Sequence, residues 1–249
     1  MRKGAYLLPN LCTTMNMFCG FYSIVAAIDG NYITAAYAIL IAGIFDNLDG
    51  KIARATRSTS NFGVEFDSLA DLLSFGMAPG IMMYLWVLKP LGRIGWLAGF
   101  LFVVCGALRL ARFNTRAGKS DARFFLGLPI PAAAGMTAVT VMFCHKFGVA
   151  QQSYPFIFLV LLYGLSFLMV STIRYSSFKK IALFSRMNFN VLVGAILVLI
   201  FIAAQPAIAL FLLGAAYVVS GPLLTPWQRR RARRLREEAS EEEDQVSAP

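Results

Sequence analysis

Apolar residues run along almost the whole chain in long blocks, separated by short stretches rich in charged residues, Gly, Pro, Ser and Asn. A helix needs roughly 20 such residues to cross the hydrocarbon of a bilayer. Eight blocks approach that length, near 10–28, 32–53, 66–88, 94–112, 128–146, 155–173, 189–204 and 207–224. With short connections between them, the pattern predicts an all-α fold, a polytopic transmembrane helix bundle of about eight spans.

Composition agrees with the pattern. Soluble domains carry about 25% charged residues, whereas here 14% are charged and 58% hydrophobic, with a mean hydropathy of +0.64. Residues 1–225 are expected to form one membrane-embedded bundle, and residues 226–249 a charged tail. In that tail QRRRARRLR precedes EEASEEED. It reads as a solvated, disordered segment that keeps the last span oriented, or as a patch for anionic headgroups. No soluble domain, low-complexity linker or internal repeat is visible. Arg2 and Lys3 resemble the charged start of a signal peptide, but no small-residue cleavage site follows, so the first block is expected to be a retained helix.

Charge sets the orientation. Cytoplasmic loops retain Lys and Arg. With the N-terminus inside, the cytoplasmic segments hold 20 of the 23 basic residues, and the other side keeps only Lys89, Arg93 and Lys146. Both termini are therefore expected in the cytoplasm. Cys12, Cys19, Cys105 and Cys144 form no CxxC pair and lie in apolar blocks, so they read as buried hydrophobes. With His145 as the only histidine, a His-based metal site and a Ser-His-Asp triad are excluded.

The acidic residues change the picture from architecture to chemistry. Of the 13, six lie in the tail and Asp29 and Asp121 in loops, while the remaining five include Asp46, Asp49, Asp67 and Asp71, which fall on or beside the second and third spans. A carboxylate at membrane depth costs about 2.5–3.5 kcal/mol on insertion scales, so it marks a site. Asp46 and Asp49 are i, i+3, and Asp67 and Asp71 are i, i+4, so each pair shares one face of its helix. The intervening loop holds Thr56, Ser58, Thr59, Ser60 and Asn61, which suits a tight reversal. An antiparallel hairpin would then gather four carboxylates. Oxygen-only ligands select hard divalent cations such as Mg²⁺ or Mn²⁺, and a pair of such ions drives phosphoryl displacement. Gly50, Ala53 and Gly63 remove bulk near the acids, although small residues also serve helix packing in membranes. Arg54, one turn beyond, can pair with a diphosphate oxygen.

These residues carry a resemblance. Asp46-x2-Asp49-Gly50-x2-Ala53-Arg54-x8-Gly63-x3-Asp67-x3-Asp71 is similar to the CDP-alcohol phosphotransferase signature at all eight fixed positions. The similarity covers about residues 5–180. It implies six core helices, a cavity near the cytoplasmic face, and transfer of a phosphatidyl group from CDP-diacylglycerol to an alcohol with release of CMP. By the same resemblance, Asp46, Asp49, Asp67 and Asp71 would bind two divalent ions, with Asp71 also the general base. Gly50, Ala53, Arg54 and Gly63 would hold the CDP moiety. LPNLCTTMN resembles the family's first helix, with Asn10 and Thr13 toward the nucleotide, although Asn and Thr at a helix start are also ordinary caps.

FDSLADLLSFGMAP, GALRLARFN, FLGLPIPAAAG and FLMVSTIRYSSFKK resemble the branch of the family that uses L-serine. Arg109 and Arg112, i, i+3 at the end of the fourth span, suit the serine carboxylate, and Asn114 can add a polar contact. They can equally be positive-inside anchors, and a glycerol phosphate acceptor would also favour arginines. Another alcohol acceptor and, more distantly, a cation transporter remain open on the residues alone. The partners expected are CDP-diacylglycerol, L-serine and membrane lipids, with no nucleic acid. The family implies a homodimer in the cytoplasmic membrane, its active site facing the cytoplasm.

Overall fold

A computed structural model describes residues 7–56, 60–116, 124–176 and 189–223. The charged tail and the tip of the loop after the second span lie outside the described residues. Eight helices coincide with the eight apolar blocks: α1 Leu7–Ile28, α2 Tyr32–Ala55, α3 Asn61–Leu91, α4 Arg93–Arg116, α5 Ile130–Lys146, α6 Pro155–Val170, α7 Phe189–Ala204 and α8 Pro206–Leu223. Of these, α1, α2, α3, α4 and α8 are long and apolar enough to cross a membrane, and α6 is a shorter apolar helix. The chain is an all-α polytopic membrane bundle.

α1 and α2 form a tight antiparallel hairpin, reversed at Gly30, whose φ of +79° suits a residue without Cβ. Small side chains make the contact: Ala26 and Ala27 on α1, and Ala35, Ala36 and Ala42 on α2, are buried. The Ser23 hydroxyl donates to the Ala35 carbonyl at 2.9 Å across the interface. Without a hydrophobic drive between helices in lipid, such close backbone approach supplies the packing. α3 is held against α1 in the same way. A Cβ on Gly20 would come within 2.6 Å of the Ser74 Cα, so only glycine lets the two helices approach this closely.

α3 differs from its expected bounds. It starts at Asn61, five residues before the apolar block, because the Ser60 side chain caps it by accepting from the Gly63 amide at 3.0 Å. The capped turn carries the acidic residues into regular helix. Directly after Asp71 the helix widens into a π-helical stretch, Leu72–Met77, followed by α-helix, and by a second π stretch at Tyr84–Leu88. α3 then packs on α4 through Gly80 and Gly99, where a Cβ on either would lie 3.1 Å from the other's carbonyl oxygen.

The apolar pattern gave no sign of one element. Phe124–Leu126 (β1) and Arg174–Ser176 (β2) pair as an antiparallel ribbon, with Phe125 opposite Tyr175. It lies between the connections that follow α4 and α6, at the same end of the bundle as the acidic residues.

Candidate active site

The α1–α2 hairpin and the capped start of α3 bring the four aspartates together. Carboxylate oxygens of Asp46, Asp49 and Asp67 lie within 4.8 Å of one another. Asp46 also makes a side-chain contact with Asp71. Asp49 and Asp71 are buried, at 5% and 8% exposure. Like charges at this spacing repel by about 3–4 kcal/mol per pair at an effective dielectric of about 20. Few neutral donors offset this. Thr13 Oγ1 donates to Asp49 Oδ2 at 3.0 Å, and Asn16 Nδ2 donates to Asp71 Oδ1 at 3.2 Å. Asp67 Oδ1 is buried with no hydrogen-bond partner among the described residues. An all-oxygen donor set with an orphaned buried oxygen fits a hard divalent cation.

Beside the acids lies a cavity of about 170 Å³. Asn10, Thr13, Gly50, Ala53, Arg54 and Gly63, the residues assigned to CDP from sequence, all line it, together with Asp49 and Asp67. The Arg54 guanidinium folds over Gly50, where a Cβ would sit 3.4 Å from its Nη1. Asn10 Oδ1 would stand 3.8 Å from a Cβ on Gly63. The two glycines therefore leave polar side-chain atoms of α1 and α2 facing an open floor.

Asn16 was missed in the sequence. It is fully buried, its side chain reaches Asp71, and its carbonyl accepts from Ser74 Oγ at 2.9 Å. Its signal was available: an Asn in the interior of an apolar helix, three residues beyond Thr13 on the same face.

The three residues assigned to serine separate. Arg109 is buried on α4, and its electrostatic neighbours include Asp71. Arg112 is not brought to an open site. Its guanidinium donates to the carbonyls of Leu126, Met169, Val170 and Ser171 at 2.8–3.3 Å, closing the end of α6. Unsatisfied carbonyls at a helix C-terminus attract a cation, and that is the role the geometry gives Arg112. Asn114 Nδ2 donates to Ser68 Oγ at 2.9 Å, which ties α4 to α3.

A membrane bundle that gathers carboxylates beside a cavity at one end has the donor set of a divalent-cation-dependent membrane enzyme. The family model for CDP-alcohol phosphatidyltransferase matches residues 6–170, and the chain belongs to that family. It is 39% identical over 216 residues to a CDP-diacylglycerol--serine O-phosphatidyltransferase of Helicobacter pylori, covering 87% of this chain and 90% of that one. An enzyme of the same name from Bacillus subtilis is 36% identical, covering 70% and 92%. An archaetidylserine synthase of Methanothermobacter thermautotrophicus is 40% identical, covering 68% and 69%.

Proposed function

We propose that this chain transfers the phosphatidyl group of CDP-diacylglycerol to the hydroxyl of L-serine, giving phosphatidylserine and CMP in phospholipid synthesis. The observation that carries the reading is the juxtaposition of the acidic cluster with the glycine-floored cavity, in a chain closely similar to serine-using relatives. The reaction forms a bond from the serine oxygen to the β-phosphorus and breaks the bond from that phosphorus to the bridging oxygen, which leaves with CMP.

Each step falls to named side chains. Asn10, Thr13 and Arg54 line the cavity and hold the nucleotide, with Arg54 set to take a diphosphate oxygen. Gly50, Ala53 and Gly63 let the CDP moiety lie against the backbone. Asp71 accepts the hydroxyl proton of serine, and Asn16 fixes its orientation through Oδ1. Asp46, Asp49, Asp67 and Asp71 would hold two divalent ions, Mg²⁺ or Mn²⁺. Such ions supply charge neutralisation for the phosphoryl group and for the departing CMP. Arg109 receives the serine carboxylate. Burial of Asp49 and Asp71 limits water next to these two carboxylates.

We assign residues 1–225 to this catalytic bundle and place it as a homodimer in the cytoplasmic membrane, its active site and both termini toward the cytoplasm. Purified protein given CDP-diacylglycerol and isotopically labelled L-serine should yield labelled phosphatidylserine and CMP in equal amounts. Turnover with glycerol 3-phosphate and none with serine would overturn the acceptor and leave the family unaffected.

A further inference from the structure

Ser68, Thr140 and Ser166 each donate to the carbonyl four residues back in their own helix, as hydroxyls in apolar helices do. Ser74 does not. It is fully buried on α3, and its Oγ crosses to α1, donating to the Asn16 carbonyl at 2.9 Å. A carbonyl inside a helix keeps a second lone pair free, and Ser74 uses it. The widened π turn starts two residues before Ser74, directly after Asp71, and such turns are frequent at functional sites. Gly20, four residues beyond Asn16, removes the Cβ that would otherwise hold the two helices apart at Ser74. Helix packing by itself calls only for a small residue at this crossing, and Ala would serve. The hydroxyl is the part that packing does not explain.

Asn16 is gripped by α3 at two points. Ser74 holds its backbone carbonyl, and its side chain meets Asp71, Nδ2 donating to Oδ1 at 3.2 Å. That side chain has no other anchor: its Oδ1 is buried without a hydrogen-bond partner among the described residues. The amide therefore takes its position from the backbone that carries it. An Asn amide donates to a carboxylate only through its nitrogen. Sliding or rotation of α1 against α3 would draw that nitrogen away from Asp71 or turn the oxygen toward it.

We propose that Ser74 is a positioning residue for the transfer reaction: its hydroxyl fixes Asn16, and through Asn16 the orientation of the Asp71 carboxylate. The inference rests on the reading of Asp71 as the base that takes the serine proton. A base must meet the hydroxyl within about 2.6–3.2 Å, and a displacement of about 1 Å costs about 100-fold in rate. The nucleotide and the serine carboxylate are assigned to other residues, so Ser74 acts on the chemical step and not on binding.

The test is steady-state kinetics on the full-length enzyme in lipid nanodiscs, with kcat taken per CDP-diacylglycerol site counted by equilibrium binding. Ser74→Ala should lower kcat about 10- to 100-fold, leaving the KM for serine and for CDP-diacylglycerol nearly unchanged. Its Tm should fall by only about 2–4 °C. Ser74→Cys, close in shape but a weaker donor, should lie between Ser74→Ala and the unaltered enzyme. In an Asn16→Ala background, Ser74→Ala should cost no further kcat, because the side chain through which it acts is gone. Unchanged kcat in Ser74→Ala, with a lowered one in Asn16→Ala, overturns this inference and leaves Asp71 as the base. Losses that multiply in the double variant overturn it too, since Ser74 then acts independently of Asn16. Unchanged kcat in Asn16→Ala or in Asp71→Asn overturns the reading of the Asn16–Asp71 pair, and the inference with it.

Discussion

Asp67 offers the cleanest single-residue test of the acidic cluster. Its Oδ1 is buried and unpartnered among the described residues, while Asp49 and Asp71 each accept from a side chain of α1. Asp67→Asn keeps the shape and removes the charge, and it relieves repulsion within the cluster. The protein should fold at least as well as before and lose about 100-fold or more of kcat, since even an outer partner of a metal ligand is worth 10–100-fold. Excess EDTA should abolish turnover, and Mg²⁺ or Mn²⁺ should restore it. Full activity in EDTA would remove the metal reading altogether. The four aspartates were legible in the sequence because helix geometry fixes which residues three and four apart share a face. Arg112 was not legible. Its partners are backbone carbonyls 14 and 57–59 residues away, and a carbonyl carries no residue identity to read.

At the scale of elements, that arginine acts as a staple. It joins the end of α4 to the end of α6 and to β1, next to Gly127, where φ is +80° and a Cβ would come within 2.8 Å of the guanidinium Nη2. Arg112→Ala would leave the α6 carbonyls without their cation at a cost of about 1.5–3 kcal/mol. It should lower the Tm in detergent and reduce kcat for every acceptor, with no selective rise in the KM for serine. A rise in that KM at unchanged Tm would instead return Arg112 to the acceptor site. The helices themselves were visible as apolar blocks, since membrane spans need length and little else. Two features escaped that reading for physical reasons. The start of α3 depends on the Ser60 cap, a local polar signal lying outside the apolar block. The β1–β2 ribbon is three residues on each side, too short for any period to register, and its pairing joins segments about fifty residues apart.

Across the whole molecule, catalytic chemistry and positive charge occupy the same end. Antiparallel succession puts the start of α1, the end of α2, the start of α3 and the ends of α4, α6 and α8 on one side. Thr13, Asp49, Asp71, Arg109 and the ribbon therefore share it. The opposite end holds the α1–α2 turn at Gly30 and the α5–α6 connection, with Lys89, Arg93 and Lys146 as its basic residues. Because loops rich in Lys and Arg stay in the cytoplasm, this charge distribution supports the proposal that the substrate-binding end faces inward. This yields a topological prediction independent of activity. With Cys12 replaced by Ser, a cysteine introduced at Ser58 should react with a membrane-impermeant maleimide only in inverted vesicles. One introduced at Gln152, an exposed residue of the α5–α6 connection, should react in intact spheroplasts. The reverse pattern would place the acidic cluster outside and contradict the charge rule. Labelling of both sites from one side would mean that an even number of spans separates them, instead of the three described (α3, α4 and α5), and the eight-helix count itself would have to be revised.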